Sequence, residues 1–123
     1  MVKLHRVLSL IDKALGEFCP VVRVVEHYTN EEPGTEYINV RISIHQLNAL
    51  LVLREYWRRG ELVAYSYYIR IKGYEEWWDN RPHHPEIQTF PHHRHAGGGI
   101  HPLQNPSLEE FLKRAKEMLS KSE

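Results

Sequence analysis

Apolar residues in the first part of the chain repeat with the period of a helix. From Leu4 to Phe18 they recur at intervals of three, four and seven residues, which places them on one helical face. We therefore predict an amphipathic helix over about residues 2–17, ended by Gly16 and Pro20. Its apolar stripe is expected to face the core.

After Pro20 the apolar pattern changes to a period of two, which is typical of β-strands. Strands are predicted over residues 21–28, 38–45, 49–58 and 62–72. The connections between them are short, and residues 29–34 have the composition of a turn. Successive strands with short connections form an antiparallel meander.

The third and fourth predicted strands can be placed in register. A three-residue turn at residues 59–61 puts Glu55 opposite Tyr65 and Leu53 opposite Tyr67. Glu55 then points to the core side of the sheet, where an unpaired carboxylate costs several kcal/mol. The histidine-rich segment that follows the sheet is the predicted source of its partners. The alternative is that Glu55 lies at the end of the sheet and reaches water.

The opposite face of the predicted sheet interleaves arginine with tyrosine and serine. Such a face combines phosphate contacts with flat rings for base stacking, which favours a surface for single-stranded RNA. Two alternatives are a polar face that is only solvated, as antiparallel sheets often have, and a face covered by a partner protein. The residues concerned are Arg23, Arg41, Ser43, Arg54, Tyr56, Arg58, Ser66, Tyr68 and Arg70.

The C-terminal part of the chain predicts a second amphipathic helix. Ser107 and Glu110 form a capping box, and apolar residues from Leu108 to Leu119 follow at helical spacing. We expect this helix to cover the same sheet face as the first. The predicted fold class is therefore α+β: an N-terminal helix, a four-stranded antiparallel meander, an ordered loop, and a C-terminal helix on one sheet face.

The ordered loop is the segment 77–101, between the fourth strand and the second helix. It contains six of the nine histidines and three of the seven prolines, and the prolines exclude one regular helix or a central strand. Its apolar residues, including Trp77, Trp78 and Phe90, argue against disorder. Residues 97–99 are all glycine and are expected to be flexible. The histidines are His83, His84, His92, His93, His95 and His101.

Composition and charge narrow the possible partners. A chain of 123 residues with 41% hydrophobic and 26% charged residues predicts one soluble globular domain, residues 1–123. Sixteen basic and sixteen acidic residues cancel, so only a local basic patch would attract nucleic acid. The chain has no apolar run long enough for a membrane span, and its N-terminus predicts a helix rather than a signal peptide. The single Cys19 forbids an internal disulfide, favours a cytoplasmic location and is expected to be buried.

Histidines grouped in one loop favour acid–base catalysis at neutral pH. One imidazole would remove the proton of a ribose 2′-hydroxyl and another would protonate the leaving oxygen, so RNA is cleaved without a metal. A serine hydrolase is excluded because the chain lacks a Gly-x-Ser-x-Gly motif. The acid–base candidates are His83, His93 and His95, with Glu55 and Asp79 orienting them. The substrate-binding candidates are Arg81, Arg94, Tyr65 and Tyr67.

The same histidines offer a second chemistry, coordination of zinc or another divalent transition metal. An extended backbone at residues 93–95 would place His93 and His95 on one side. His83 or His84, with Asp79, would approach from the other limb of the loop. A third interpretation is a structural loop whose imidazoles form hydrogen bonds with backbone groups. The metal candidates are His84, His92, His93 and His95.

Four segments of the chain resemble the TumE-type toxin family. They are Arg54-Glu55-Tyr56, Tyr65-Ser66-Tyr67-Tyr68, and the stretches 78–85 and 90–95. The last two form the pattern DN-x-PHH…PHH-x-H, which is the specific part, and the resemblance runs from about Leu47 to the final helix. The matching motif positions are Glu55, Tyr65, Tyr67, Asp79, Asn80, His83, His84, His92, His93 and His95.

This resemblance implies the toxin half of a prokaryotic two-gene toxin–antitoxin module, with a helix-turn-helix antitoxin as partner. We therefore expect a cytoplasmic toxin that acts on RNA by histidine-based phosphodiester cleavage. The alternative is a non-catalytic module that binds a metal or a partner through the same residues.

Overall fold

The computed structural model describes residues 2–32 and 34–123. Within these residues the chain has two α-helices and seven strands, so the predicted α+β class is confirmed and the predicted number of four strands is wrong. The helices are α1 (Leu4–Leu15) and α2 (Leu108–Lys121). The strands are β1 (Val21–Asn30), β2 (Thr35–Ile44), β3 (Ala49–Arg58), β4 (Glu61–Ile71), β5 (Tyr74–Asp79), β6 (His93–Ala96) and β7 (Gly99–Pro102).

These strands form one antiparallel sheet in the order β1 to β7, each paired with its neighbours in sequence. The first four follow the predicted meander. The additional three come from the segment around 77–101, which was predicted to be an irregular loop. Only residues 80–92 connect β5 and β6 without strand structure, and we call them the site loop.

Prolines led to the loop prediction because a proline lacks the N–H that a sheet needs. Pro82, Pro85 and Pro91 all lie in the site loop, and Pro102 is the last residue of β7. Residues 93–96 contain no proline and pair with β5 along their whole length. The prolines of the site loop therefore do not prevent the residues that follow them from pairing, and Pro102 is tolerated at the end of β7 opposite His93.

The glycines at residues 97–99 make a tight turn rather than the flexible segment predicted. Gly97 and Gly98 connect β6 to β7 and both have a positive φ, 59° and 77°. A two-residue type I′ hairpin turn requires positive φ at both central positions, which glycine adopts without strain. The turn fixes how β7 pairs with β6.

Both helices pack on one face of the sheet, as predicted. We call this the inner face and the opposite one the outer face. Val7, Ile11 and Leu15 of α1 join residues of α2 in a single hydrophobic cluster with the strands. Because side chains alternate along a strand, every second residue of each strand points to the helices. The buried inner-face residues are Ile38, Val40, Ile42, Ile44, Leu51, Leu53, Tyr65, Tyr67, Ile69, Ile71 and Trp78.

The predicted register around Glu55 is confirmed. Glu55 pairs with Tyr65 across β3 and β4, and its side chain is buried on the inner face. Its carboxylate accepts hydrogen bonds from Nε1 of Trp57 at 2.9 Å and from the hydroxyl of Tyr67 at 2.5 Å. Nη1 of Arg6, on α1, lies 3.7 Å away. The prediction that histidines supply the partners of Glu55 is therefore wrong, since the first helix and its own sheet supply them.

A second buried carboxylate, Glu36 on β2, holds the start of α1 against the sheet. It accepts hydrogen bonds from the backbone N–H groups of Lys3 at 2.7 Å and Leu4 at 3.1 Å, and its Oε2 lies 2.8 Å from Nε2 of His27. A carboxylate at a helix N-terminus satisfies unpaired N–H groups and favours the helix dipole. Burial raises the pKa of Glu36, but these hydrogen bonds outweigh it and the net pKa is lowered.

Cys19 is exposed, so the prediction that it is buried is wrong. Its backbone has a left-handed conformation just after a short 3₁₀ turn. The predicted turn at residues 29–34 connects β1 and β2, and Pro33 within it lies outside the described residues. Neither described helix has the length and apolar character needed to cross a membrane.

Replacing Glu36 by glutamine is expected to lower the free energy of unfolding by about 1–3 kcal/mol, because a buried charged acceptor of helix N–H groups is lost. Urea unfolding at neutral pH measures the change. Glu26→Gln, at an exposed position of β1, is the matched control and should leave stability unchanged.

The stability lost in Glu36→Gln should be largest at neutral pH and smaller in acid. A carboxylate whose pKa is lowered by folding stabilises the protein above its unfolded pKa of about 4.3, and this stabilisation disappears as the pH falls through the folded pKa. The difference between wild type and Glu36→Gln should therefore shrink below about pH 4. Equal stability of the two proteins at neutral pH would contradict the anchoring role.

Candidate functional site

The pairing of β5 with β6 brings four side chains together on the outer face. Asp79 lies opposite His93 and Trp77 lies opposite His95, and the alternation of strand side chains sends all four the same way. The ring centroids of His93 and His95 are 4.8 Å apart. The prediction that an extended backbone places these two imidazoles on one side is confirmed.

A third imidazole, that of His84, reaches the same place from the site loop. Its ring centroid lies 4.9 Å from that of His93 and 5.8 Å from that of His95. One nitrogen from each of the three rings lies within 4.8 Å of the others. We call His84, His93 and His95 the His cluster.

The site loop is held over the sheet by its first residues. The Asp79 carboxylate accepts the backbone N–H of Arg81 at 2.9 Å, which turns the chain as soon as β5 ends. The side chain of Asn80 accepts the N–H of Tyr65 at 3.1 Å and donates to the carbonyl of Val63 at 3.0 Å. The Asp-Asn pair thus fixes both the direction of the loop and its attachment to β4.

Asp79 and His93 form a buried pair at the base of the His cluster. Nε2 of His93 lies 3.0 Å from Oδ1 of Asp79, and its Nδ1 lies 2.9 Å from the carbonyl oxygen of Pro91. Both partners are acceptors, so both contacts are hydrogen bonds only when the ring carries two protons. In that state His93 is a cation paired with Asp79, and neither of its nitrogens is free for another ligand.

His95 lies beside this pair and is partly open to solvent. Its ring stacks on Trp77 with centroids 4.4 Å apart and an interplanar angle of 15°, and its Nε2 is 3.9 Å from Oδ2 of Asp79. Burial lowers the pKa of His95, and the charge of His93 lowers it further. Asp79 opposes this shift and His84 adds to it, with a net lowering. His95 is therefore suited to accept a proton at neutral pH.

The structure does not bring three other histidines into the cluster. His83 is exposed, and its backbone N–H donates to the carbonyl of Arg81. His92, a predicted metal ligand, turns to Tyr65 instead, with its Nδ1 2.9 Å from the tyrosine hydroxyl. Burial lowers its pKa, and His93 contributes to the shift. Nε2 of His101 lies 3.1 Å from the carbonyl oxygen of Ala96.

Four predicted site residues lie on the inner face, because their positions in the strands have the opposite parity. Glu55 and Tyr67 bond to each other in the core. Tyr65 is also buried, and burial followed by the charge of Asp79 raises its pKa, so its hydroxyl stays protonated. Nη1 of Arg94 lies 3.4 Å from the buried carboxylate of Glu76, on the face opposite the imidazoles. Only Arg81, among the predicted phosphate-binding arginines, stays exposed near the site loop.

Trp77 is the neighbour of the His cluster that the sequence prediction missed. It is the residue of β5 that faces His95, two positions before Asp79. Trp77 and Asp79 are two residues apart in a strand, as His93 and His95 are, so each pair points to one side. Pairing these two strands would have predicted Trp77 beside His95. Treating the segment as a loop hid that signal.

Comparison with known proteins gives one finding. A family model described as Toxin TumE matches residues 9–119, which is nearly the whole chain and includes the His cluster. No curated protein matches the chain. No solved structure matches it either.

The pKa of His95 tests the arrangement directly. We expect a value below the ordinary 6.5. Asp79→Asn should lower it further, because the carboxylate favours the protonated ring, whereas His84→Ala should raise it by removing a neighbouring imidazole. A pH titration of the ring nitrogens by NMR measures the three values.

His5→Ala, on the exposed side of α1, is the control and should leave the His95 titration unchanged. If Asp79→Asn and His84→Ala move the pKa of His95 in the same direction, the rings are not arranged as described.

Proposed function

The chain belongs to the TumE toxin family, and on this basis we propose that it is the toxin of a prokaryotic toxin–antitoxin module that cleaves RNA in the cytoplasm. The proposed partner is a helix-turn-helix antitoxin. The observation that carries the proposed cleavage is the His cluster, where the partly exposed imidazoles of His84 and His95 stand beside a buried aspartate–histidine pair.

In the proposed reaction His95 is the general base and His84 the general acid. Because the pKa of His95 is lowered, its ring is neutral at pH 7 and accepts the proton of a ribose 2′-hydroxyl. The 2′-oxygen attacks the adjacent phosphorus, the bond from phosphorus to the 5′-oxygen breaks, and His84 protonates the departing 5′-oxygen. The products are a 2′,3′-cyclic phosphate and a 5′-hydroxyl end.

His84 is placed to act on the same phosphate as His95, since ring nitrogens of the two lie within 4.8 Å of each other. The Nδ1 of His84 also lies 3.6 Å from the carboxylate of Glu86, two residues along the site loop.

Positive charge for the phosphate comes from Arg81, which is exposed at the start of the site loop. A charge fixed before the reaction stabilises the developing negative charge without reorganisation. His93 is held between Asp79 and the carbonyl of Pro91, so it changes from the predicted acid–base role to a positioning one, and His84 replaces His83.

Protein without a histidine tag, assayed with a chelator, is expected to cleave RNA. His95→Ala and His84→Ala should each lower kcat/KM by about 10²–10⁴-fold, the range for loss of a general acid or base. His101→Ala is the matched control, since its ring contacts only a turn carbonyl. Mass spectrometry should find 2′,3′-cyclic phosphate ends on the products.

The pH profile adds a second readout. His95 acts in its neutral form, so kcat/KM should rise with pH through a limb that lies below pH 6.5. A His95→Ala protein that cleaves RNA as fast as wild type would remove His95 as the base.

A second candidate function is divalent metal binding, favoured by the three convergent imidazole nitrogens. Zinc prefers such ligands, but Zn–N bonds of about 2.0–2.1 Å in a tetrahedral site bring nitrogens to about 3.3 Å from one another. The rings would have to close inward, and His93 would have to give up its contact with Asp79 or Pro91. Metal binding therefore competes with the Asp79–His93 contact beside the proposed reacting histidines.

Elemental analysis after dialysis against zinc tests this alternative. One zinc per chain in wild type, its loss in His84→Ala and its retention in His92→Ala would establish the metal site, since His92 lies outside the cluster. Cleavage that survives chelation, with no stoichiometric metal in wild type, would reject it.

A further inference from the structure

The outer face of the sheet lies opposite the two helices and is rich in arginine and aromatic residues. Strand parity and the pairing register assign these residues to one surface. The four arginines outnumber the acidic residues Glu26, Glu75 and Asp79, while Arg58 lies opposite Glu61 at the strand ends. The arginines are Arg23, Arg41, Arg54 and Arg70, and the aromatic residues are Tyr28, Tyr37, Tyr56, Tyr68 and Trp77.

Three depressions on this face join end to end. The first, of about 210 Å³, lies between Tyr56 and Arg81, and the second, of about 340 Å³, lies over Tyr68. They share Arg54 and Ser66 as a common wall. The third, of about 500 Å³, is bounded by the Gly-Gly turn. Together we call them the outer groove.

The outer groove passes the proposed general base. The second and third depressions share Glu75 and Trp77, and His95 lines the third. His95 stacks on Trp77 at that boundary. A chain lying in the groove would therefore run directly past the imidazole of His95.

We propose that the outer groove binds single-stranded RNA, with bases stacked on Tyr56, Tyr68 and Trp77 and phosphates paired with Arg54 and Arg81. The identity of the ligand rests on the proposed function, and the groove itself rests on its own geometry. Proteins that bind single strands commonly combine aromatic rings, on which bases stack, with arginines that contact phosphates. The strand enters over β3 and β4 and reaches the His cluster at β5 and β6.

A single strand fits this surface better than the alternatives. Base stacking on side chains needs bases that are already unstacked, which a duplex does not offer. A protein partner would instead favour an apolar patch at the centre of the interface. Here the centre of the groove carries Arg54, Ser66, Tyr68, Glu75 and Trp77, with Val52 as its one aliphatic residue.

Glu75 lies in the groove on the outer face and gives the sharpest test. Glu75 accepts a hydrogen bond from the hydroxyl of Tyr68 and pairs across the strands with Arg70. Its negative charge opposes a phosphate there. Glu75→Gln should therefore tighten RNA binding by about threefold, the Coulomb effect of one charge about 7 Å away in water, and a misfolded variant would not do this.

The binding assay uses the full chain and a fluorescein-labelled 2′-O-methyl RNA of about 12 nucleotides, a length within the range of known single-strand sites. The 2′-O-methyl group leaves no hydroxyl to attack phosphorus, so binding is measured without cleavage. Tyr68→Leu should weaken binding by about tenfold through loss of one stacking surface. Arg54→Ala should weaken it and reduce the slope of log Kd against log salt by about 0.7.

Lys113→Ala is the matched control, because it removes an exposed positive charge on α2, away from the groove. It should bind the RNA like wild type. His95→Ala, which changes the lining of the groove, is compared only for cleavage of the unmodified RNA and should lower kcat/KM by about 10²–10⁴-fold.

The outcomes separate the groove from the proposed function. If the groove variants behave as expected but wild type cleaves no RNA, the ribonuclease proposal fails and the groove stands. If wild type cleaves RNA but Tyr68→Leu, Arg54→Ala and Glu75→Gln bind like wild type, the groove proposal fails. It also fails if duplex RNA of the same length competes equally, or if the variants lose only binding to the antitoxin.

Discussion

The pairing register of the antiparallel sheet decides which side chains of this chain can meet. Adjacent residues of a strand point to opposite faces, so the parity of a residue in its strand assigns it to the helices or to the outer groove. Asp79 and His93 share the outer face, whereas Glu55 and Arg94 serve packing and pairing on the inner one. A slip of one residue between β5 and β6 would exchange the two sets and dismantle the His cluster. The function proposed here therefore depends on strand pairing more than on any single hydrogen bond.

Much of the scaffold could be predicted from local patterns. Both helices and the first four strands follow from apolar periods of 3.6 and two, and the register of Glu55 follows from a short turn. The last two strands could not be predicted in this way, because each has four residues with little apolar alternation. Their pairing depends on β5, and the prolines of the preceding loop masked it. Sequence periodicity detects strands that bury a face, and β6 and β7 are held mainly by their neighbours.

Of the candidate site, too, only the part set by local sequence could be predicted. The adjacency of His93 and His95 was predictable because it is a property of three extended residues. The choice of His84 over His83 depends on the path of the site loop, which Asn80 fixes by bonds to β4. The partners of Glu55 were mispredicted because Trp57 and Tyr67 of its own sheet already bond to it, and Arg6 reaches it from a helix far away in sequence. Contacts set by distant parts of the chain leave no local pattern to read.

The hairpin of β6 and β7 sits at the margin of the sheet, joined to the remainder through β5. Short marginal strands open at a lower free-energy cost than the centre of a fold. Such fraying would carry His93 and His95 away from Asp79 while α1, α2 and the long strands stay in place. Mild warming should then abolish the proposed activity well below the temperature at which the whole protein unfolds, and cooling should restore that activity without refolding. The temperature at which the proposed activity is lost would then be set by the eight residues of β6 and β7 rather than by the stability of the whole chain.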